Sequence, residues 1–310
     1  MSGERDLPTV LWDYELNRAI DGVLPDPVSN GFALATHLGD TGVVLALVAL
    51  VYWFGRADNW QRRGLLVAVA VAALTLTAGL KGVLDVQRPL YAARAAGEPL
   101  AFAPDAYDGF STPSGHAMGA AAIYGGLAAL TDIGQRWQRS LVATLVVAAV
   151  AFSRVVIGVH YLGDVVLGVA LGFGLVWLGG RLSTEDRDPV VVVLLVALVG
   201  SVVAVPLGSE TYAAASIGTA AGSLAVWWVI RERRPDPSAS AVALCLLPLA
   251  GVLVAGVAVS GLLGVDIVTA VQRQSPLTTT LRGGLAAVSV GLALAIPVVA
   301  ERLDNDPPGS

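Results

Sequence analysis

The chain has 310 residues, of which 55% are hydrophobic and only 14% charged, and its mean hydropathy is +0.71. A soluble domain carries about 25% charged residues, and here the apolar residues come in long uninterrupted runs, so a soluble globular enzyme and a disordered chain are both excluded. The net charge of −5 provides no basic face for nucleic acid, and the single cysteine excludes a disulfide framework or a cysteine-built metal site.

The amino-terminal residues 1–36 are predicted to lie at the membrane interface. Within them, the stretch from Leu7 to Leu24 alternates acidic and apolar residues and contains Trp12 and Tyr14. This pattern is typical of a helix that lies in the plane of the interface and does not cross the bilayer.

Nine apolar segments follow, each close to the roughly 20 residues that cross the hydrocarbon core as a helix. They are His37–Phe54, Leu65–Leu84, Pro113–Leu130, Leu141–Val159, His160–Gly180, Pro189–Leu207, Tyr212–Ile230, Ala239–Leu263 and Gly283–Ala300. The sequence therefore predicts an all-α fold, a polytopic transmembrane helical bundle of about nine spans embedded in a bilayer.

A charged linker from Arg181 to Pro189 divides this bundle. Residues 37–181 form a core of five spans that contains nearly all the polar chemistry. Residues 182–310 form a carboxy-terminal four-span membrane region, in which Gly218 and Gly222 make a small-xxx-small pair suited to close helix packing. This region enlarges the bundle, shapes lipid access or forms the surface of a homo-oligomer, and we favour a role in helix packing.

The distribution of positive charge sets the orientation. If the amino terminus lies outside, 11 of the 19 lysines and arginines fall in inward loops and eight in outward segments. This modest bias places three clusters of polar residues at the extracytoplasmic face of the cell membrane.

The first cluster, KGVLDVQRP, lies at the outer end of the second span. Its Lys81 is the only lysine of the chain, and Arg88 follows seven residues later, on the same face if the helix continues. For this pair alone, snorkelling toward the headgroups is the alternative, and Asp85 is a candidate ion-pair partner of Lys81.

The second cluster, STPSGH at residues 111–116, precedes the third span. Thr112 is the expected helix cap, with Pro113 at the first helical position. An anion would bind at this helix terminus, and a histidine beside it would donate a proton. The groups that would take part are the backbone N–H groups of Ser114, Gly115 and His116. Taken alone, the segment also fits an ordinary capped helix with an interfacial histidine.

The third cluster, SRVVIGVHYLGD, joins the fourth and fifth spans. Asp164 follows His160 by four residues, so both are expected on one helical face. The carboxylate would bind one ring nitrogen and leave the other free to attack. Arg154 lies in the same cluster, and ionisable residues near a membrane are costly enough that function is their default interpretation.

Together the three clusters resemble the signature of the type 2 phosphatidic acid phosphatase superfamily. This family includes lipid phosphate phosphatases, polyprenyl diphosphate phosphatases and the soluble vanadium haloperoxidases. Its pattern, KxxxxxxRP, PSGH and SRxxxxxHxxxD, is matched here at every fixed position. The resemblance covers roughly Gly31 to Arg181, which makes residues 37–181 a membrane phosphatase core.

The resemblance also implies roles for individual residues. His160 would be the nucleophile that forms a phosphohistidine, Asp164 would orient it, and His116 would be the general acid. The substrate phosphate would be bound by Lys81, Arg88, Ser114, Gly115 and Arg154. The resemblance implies neither a metal nor another cofactor, and His37 and Asp40, which lie outside the pattern, are interpreted as structural interfacial residues.

The predicted function is hydrolysis of lipid phosphates at the outer membrane face. The substrate would be a polyprenyl diphosphate or a phosphatidate-like lipid, and an outward site slightly favours the polyprenyl carrier because the carrier is recycled after export. One alternative is a phosphotransferase that passes the phosphoryl group to a sugar or lipid acceptor. Another is a non-enzymatic binding or transport protein, although a binding pocket needs no nucleophile.

Overall fold

The computed structural model describes residues 11–132, 134–182, 187–207, 210–247 and 276–305. Within these ranges the regular structure is helical and contains no β-strand, which confirms the predicted all-α class. The helices are α1 (Glu15–Asp21), α2 (Asp26–Ala35), α3 (Thr41–Phe54), α4 (Trp60–Leu84), α5 (Pro89–Ala95), α6 (Gly115–Leu130), α7 (Arg136–Val156), α8 (Leu162–Arg181), α9 (Pro189–Ala204), α10 (Glu210–Ile230) and α11 (Pro276–Asn305). Residues 239–247 are also helical.

Five helical stretches in the described ranges are long and apolar enough to cross a membrane. They are Trp60–Ala95, Arg136–Val156, Leu162–Arg181, Ala213–Ile230 and Arg282–Asn305. A sixth arises if Asp26–Gly39 and Thr41–Phe54, which meet at a 45° bend, count as one broken span. Helices α6 and α9, at 16 residues each, are shorter than a full crossing, and most of the predicted span Ala239–Leu263 lies outside the described residues. The polytopic bundle is confirmed, while the number of nine spans stays a prediction.

Helix α4 lies at the centre of the bundle and packs against α3, α6, α9 and α10. Ala68, Val69 and Ala72 on α4 are completely buried, as expected for a helix that is apolar all round. Helix α6 packs in turn against α7 and α8. Helix α4 and the helices packed around it therefore form the core of the bundle.

Glycines bring α6 and α8 into backbone contact. A Cβ atom at Gly172 would lie 2.5 Å from the carbonyl oxygen of Met118, and one at Gly168 would lie 2.7 Å from the carbonyl oxygen of Ser114. Such close approach allows van der Waals packing to hold helices together where lipid removes the hydrophobic driving force. It also brings the amino-terminal ends of both helices side by side.

The carboxy-terminal region is joined to the core at the opposite end of α4. There Trp60 stacks on Trp227 of α10 with 5.4 Å between ring centroids, and the Trp227 indole N–H donates to Asp188 at 3.0 Å. Gly64 makes room for the Trp227 ring, since a Cβ atom there would lie 2.2 Å from it. The buried Arg63 guanidinium lies 5.0 Å above the Trp60 ring.

The predicted small-residue pair packs within the chain. A Cβ atom at Gly218 on α10 would lie 2.1 Å from the Gly283 carbonyl oxygen of α11, and one at Gly222 would lie 2.7 Å from Ala287. This contact supports the helix-packing interpretation. A homo-oligomer through these spans stays a prediction.

Candidate active site

The three sequence clusters meet at one end of the bundle, where α4 ends and where α6 and α8 begin. A cavity of about 490 Å³ opens there. Its polar wall includes Lys81, Arg88, Tyr107, Gly115, His116 and His160. The structure therefore brings together residues that are up to 79 positions apart in the sequence.

The chain reaches the site from α4 by an abrupt turn. Helix α4 ends at Leu84, and Asp85 adopts a left-handed conformation with φ of 49°. Helix α4 thus ends where the second span was predicted to end, and since it does not continue to Arg88, Lys81 and Arg88 do not share a helical face. Arg88 is instead the extended residue before α5, which begins at Pro89 because proline is well tolerated at a first helical position. The predicted Lys81–Asp85 ion pair is also absent, and the two residues share only a backbone hydrogen bond of 3.1 Å.

Arg88 is buried and held by backbone carbonyls. Its Nε donates to the Gly109 carbonyl at 2.9 Å, Nη2 to Asp108 at 2.9 Å and Nη1 to Val159 at 2.8 Å. Nη1 also lies 3.2 Å from Nε2 of His160. The guanidinium is thus fixed beside Nε2 of His160, a residue that lines the cavity.

Arg154 and Lys81 supply two further positive charges. Arg154 is buried, and it donates from Nη1 to the Thr36 hydroxyl and from Nη2 to the Tyr107 hydroxyl, both at 2.7 Å. The Arg154 Nε atom is buried with no hydrogen-bond partner among the described residues. The Lys81 ammonium, at the cavity, has no hydrogen-bond or ion-pair partner among the described residues. Its donors therefore remain available for an anion.

The start of α6 differs from the sequence prediction. Ser114, not Thr112, caps the helix, and its hydroxyl accepts from the Ala117 N–H at 3.4 Å. The Ser114 N–H is not free, because it donates to the backbone carbonyl of Asp164 at 3.0 Å. Gly115 and His116 line the cavity. Thr112 does not cap α6 because the helix begins only at Gly115, and the Thr112 hydroxyl instead donates to the Asp164 carboxylate.

His160 and Asp164 contact each other, although not along one helical face. His160 lies in the turn before α8, and Asp164 in the first turn of α8 reaches back to it, with 3.2 Å between Nδ1 and Oδ2. Nδ1–H is then the donor to the carboxylate, and the lone pair of Nε2 accepts from Arg88 Nη1 at 3.2 Å. Burial lowers the pKa of His160 more than the Asp164 carboxylate raises it, so the ring is neutral and nucleophilic at neutral pH.

The Asp164 carboxylate is surrounded by hydrogen-bond donors. The hydroxyls of Ser111 and Thr112 donate to it, as do the Tyr161 N–H at 2.9 Å and the Trp12 indole N–H at 2.9 Å. These bonds compensate the charge for its burial and fix the orientation of the carboxylate. In the sequence, Ser111 and Thr112 looked like part of a helix cap, and nothing pointed from Trp12 to Asp164.

The amino-terminal segment lies over the turn before α8, which contains His160. The Leu11 carbonyl accepts from the Gly163 N–H at 2.8 Å, and Gly163 has no side chain that would displace the Trp12 ring. The buried Asn17 donates to the His160 carbonyl at 3.1 Å. The predicted interfacial segment therefore contacts the site directly, a role that sequence reasoning missed.

Asp40 and His37 also lie at the site, although the sequence placed them outside the signature. Asp40 Oδ1 is 2.8 Å from Nε2 of His116, and Oδ2 is 2.7 Å from Nδ1 of His37. One sequence pattern could have indicated that His37 belongs to the site: all three histidines of the chain lie at or near the outer ends of predicted spans.

Comparison with known proteins assigns the family. A family model described as the PAP2 superfamily matches residues 62–188, a range that includes every predicted site residue. The comparison with curated proteins found no match. Among solved structures, the chain is similar to "the first transmembrane PAP2 type phosphatidylglycerolphosphate phosphatase from Bacillus subtilis", with 25% identity, a TM-score of 0.46, and coverage of 56% of this chain and 87% of that chain. Residues 62–188 of this chain belong to the PAP2 superfamily, and the helices long and apolar enough to cross a membrane make it a multi-pass membrane protein.

Proposed function

We propose that this protein hydrolyses lipid phosphates through a phosphohistidine formed on Nε2 of His160. One observation carries the proposal: His160 lines the cavity with its Nε2 3.2 Å from Arg88 Nη1, while Nδ1 is held 3.2 Å from the Asp164 carboxylate. This arrangement favours the tautomer with a lone pair on Nε2 and places a positive charge beside that nitrogen, where it would stabilise an approaching phosphoryl group.

In the first half-reaction, Nε2 of His160 attacks phosphorus and the bond from phosphorus to the leaving oxygen breaks. His116, which lines the same cavity, donates a proton to that oxygen. The phosphoryl oxygens carry negative charge throughout, and preorganised cations stabilise it. In this site the cations are Lys81, Arg88 and Arg154.

In the second half-reaction, a water molecule attacks the phosphohistidine. His116 takes a proton from this water, the phosphorus–nitrogen bond breaks, and inorganic phosphate leaves. His160 returns to its neutral state. The described residues contain no group of three or more His, Cys, Asp or Glu side chains that could hold a metal ion. We propose that the side chains carry out both half-reactions without a metal or a cofactor.

The cavity favours a lipid as the substrate. Its polar end continues into an apolar wall formed by residues of α3, α4 and α6, namely Val44, Leu45, Ala70, Ala73, Leu74 and Ile123. A phosphate at the cations would therefore place its tail along these helices. The apolar wall does not distinguish a prenyl from an acyl chain, and we slightly favour the polyprenyl diphosphate because the modest excess of positive charge in the inward loops favours an extracytoplasmic site.

Phosphate release by detergent-purified protein in EDTA tests this proposal. A prenyl diphosphate and a phosphatidate are compared, with His160→Ala as the inactive variant and Trp137→Phe, an exposed position, as the control. We expect release that disappears only in His160→Ala, together with an acid-labile, base-stable phosphoprotein in the wild type. Release from phosphatidate but not from prenyl diphosphate would contradict the preference for the polyprenyl carrier. Release from neither lipid, with phosphate found on an added sugar or lipid acceptor, would favour the phosphotransferase.

A further inference from the structure

Asp40 forms a bridge between two histidines, one inside the cavity and one at the surface. Its Oδ1 lies 2.8 Å from Nε2 of His116, and its Oδ2 lies 2.7 Å from Nδ1 of His37. The exposed fractions of the side chains rise outward, from 21% for His116 to 41% for Asp40 and 65% for His37. One oxygen of the carboxylate therefore contacts the histidine in the cavity, and the other contacts the histidine exposed to solvent.

The fold holds Asp40 in this position. The 3-10 turn Thr36–Gly39 passes against α6 and α7, and the Tyr124 hydroxyl of α6 donates to the Leu38 carbonyl at 2.9 Å. Gly39 permits the close approach, since a Cβ atom there would lie 2.6 Å from Val150 and 3.1 Å from the Cβ atom of His116. Asp40 follows directly and is extended, so that its side chain meets the His116 ring.

This contact determines which nitrogen of His116 serves the reaction. Because Nε2 is bound to Asp40, Nδ1 is the nitrogen left to exchange a proton with the substrate. Lys81 and Arg154 lie close enough to interact electrostatically with His116. Both repel a positive charge on the ring, and the Asp40 carboxylate opposes that repulsion.

We propose that Asp40 is a positioning residue, which orients His116 and stabilises the protonated ring that the leaving group requires, with His37 holding the second carboxylate oxygen. The proposal rests on the proposed function. The proton moves from Nδ1 of His116 to the leaving oxygen as the phosphorus–oxygen bond breaks. Nδ1 then receives a proton from the attacking water, while Nε2–H stays bound to Asp40. Asp40 lies outside residues 62–188, the range that matches the family.

The dependence of the rate on the leaving group tests this role. A phosphatidate releases a poor leaving group that needs a proton, whereas p-nitrophenyl phosphate releases a stable phenolate that does not. We expect Asp40→Asn to lower kcat/KM for phosphatidate on the order of 100-fold, within the range attributed to general acid catalysis. The kcat/KM for p-nitrophenyl phosphate should fall less than about threefold, because kcat/KM reports the steps up to departure of the leaving group, which needs no proton here, and excludes the second half-reaction that both substrates share. His116→Ala should show the same selectivity, and Asp40→Glu should restore part of the phosphatidate rate.

Controls separate positioning from folding. Asp132→Asn removes a carboxylate that pairs with Arg62 at 3.0 Å at the opposite end of the bundle, and it should leave both rates unchanged. His37→Gln keeps a hydrogen-bonding group and should have a smaller effect than Asp40→Asn. An equal loss on both substrates, or no loss on phosphatidate, would overturn the role of Asp40 while the phosphatase itself stands. A wild-type protein that hydrolyses neither substrate, or a His160→Ala variant that stays active, would overturn the proposed function and this inference with it.

Discussion

The indole N–H of Trp12 donates to the carboxylate of Asp164 at 2.9 Å, across 152 positions of the sequence. The same N–H lies 3.0 Å from the Thr112 hydroxyl, which itself donates to Asp164. A residue before the family-matched range thus reaches the carboxylate that orients the proposed nucleophile. Four predictions follow from this and other contacts in the bundle.

Trp12→Phe should lower kcat about tenfold, a change of about 1.4 kcal/mol in the activation barrier, with little change in KM. The aromatic packing on Gly163 stays, but Asp164 loses one of its donors and holds His160 less firmly. Steady-state kinetics on a lipid phosphate measure the effect, with Trp137→Phe as the matched control. If KM rises instead and kcat is unchanged, Trp12 serves substrate binding and not the orientation of Asp164.

Arg88→Lys should reduce kcat/KM by at least about 100-fold, although the charge is kept. The guanidinium donates to three backbone carbonyls and lies 3.2 Å from His160 Nε2, and an ammonium cannot reproduce that geometry. Arg62→Lys, at the exposed pair with Asp132, is the control and should behave as the wild type. A lysine variant with near wild-type activity would show that charge alone suffices at position 88.

Gly119→Leu should slow hydrolysis of long-tailed lipid phosphates and spare short-chain ones. Gly119 lines the cavity, and a Cβ atom there would meet nothing within 4 Å, so the leucine fills cavity space without displacing a neighbour. Gly174→Leu is the matched control, because its Cβ is equally unobstructed but Gly174 does not line this cavity. Rates for a series of tail lengths provide the measurement. Equal slowing at every length would place the tail elsewhere.

Gly218→Leu should destabilise the protein by about 1–3 kcal/mol, the typical cost of overpacking, or prevent the contact between α10 and α11. The added Cβ would lie 2.1 Å from the backbone oxygen of Gly283, which cannot move aside as a flexible side chain would. Gly284→Leu, whose Cβ would meet nothing within 4 Å, should leave stability unchanged. Thermal unfolding in detergent compares the two variants. Equal melting temperatures would argue against the close packing of these helices.

Much of the bundle could be predicted because the information is local. Apolar runs specify membrane helices through composition, and the motif residues keep fixed spacings that the resemblance identifies. The predicted spans from the second, Leu65–Leu84, to the ninth, Gly283–Ala300, therefore each coincide with an observed helix. The exception is Ala239–Leu263, most of which lies outside the described residues. The five-span core, residues 37–181, stays a prediction. Of its eight predicted site residues, five line one cavity, namely Lys81, Arg88, Gly115, His116 and His160.

The remaining features depend on single contacts between distant residues. Trp12 and Asp40 reach Asp164 and His116 through tertiary packing that no spacing in the sequence records. The end of α4 at Leu84 was predicted, but the left-handed conformation of Asp85 was not, because few residues other than glycine adopt it. The cap is Ser114 and not Thr112 because α6 begins only at Gly115, and the Thr112 hydroxyl instead donates to the distant Asp164 carboxylate.

The amino-terminal contacts have a consequence for biogenesis. Trp12, Asn17 and Thr36 are synthesised early, whereas their partners Asp164, His160 and Arg154 leave the ribosome more than 100 residues later. The nascent chain therefore inserts its first helices before the proposed nucleophile has these contacts. We expect activity only after α8 has entered the membrane and the amino-terminal segment has docked on it, so that a partly inserted chain would not act on the lipids around it.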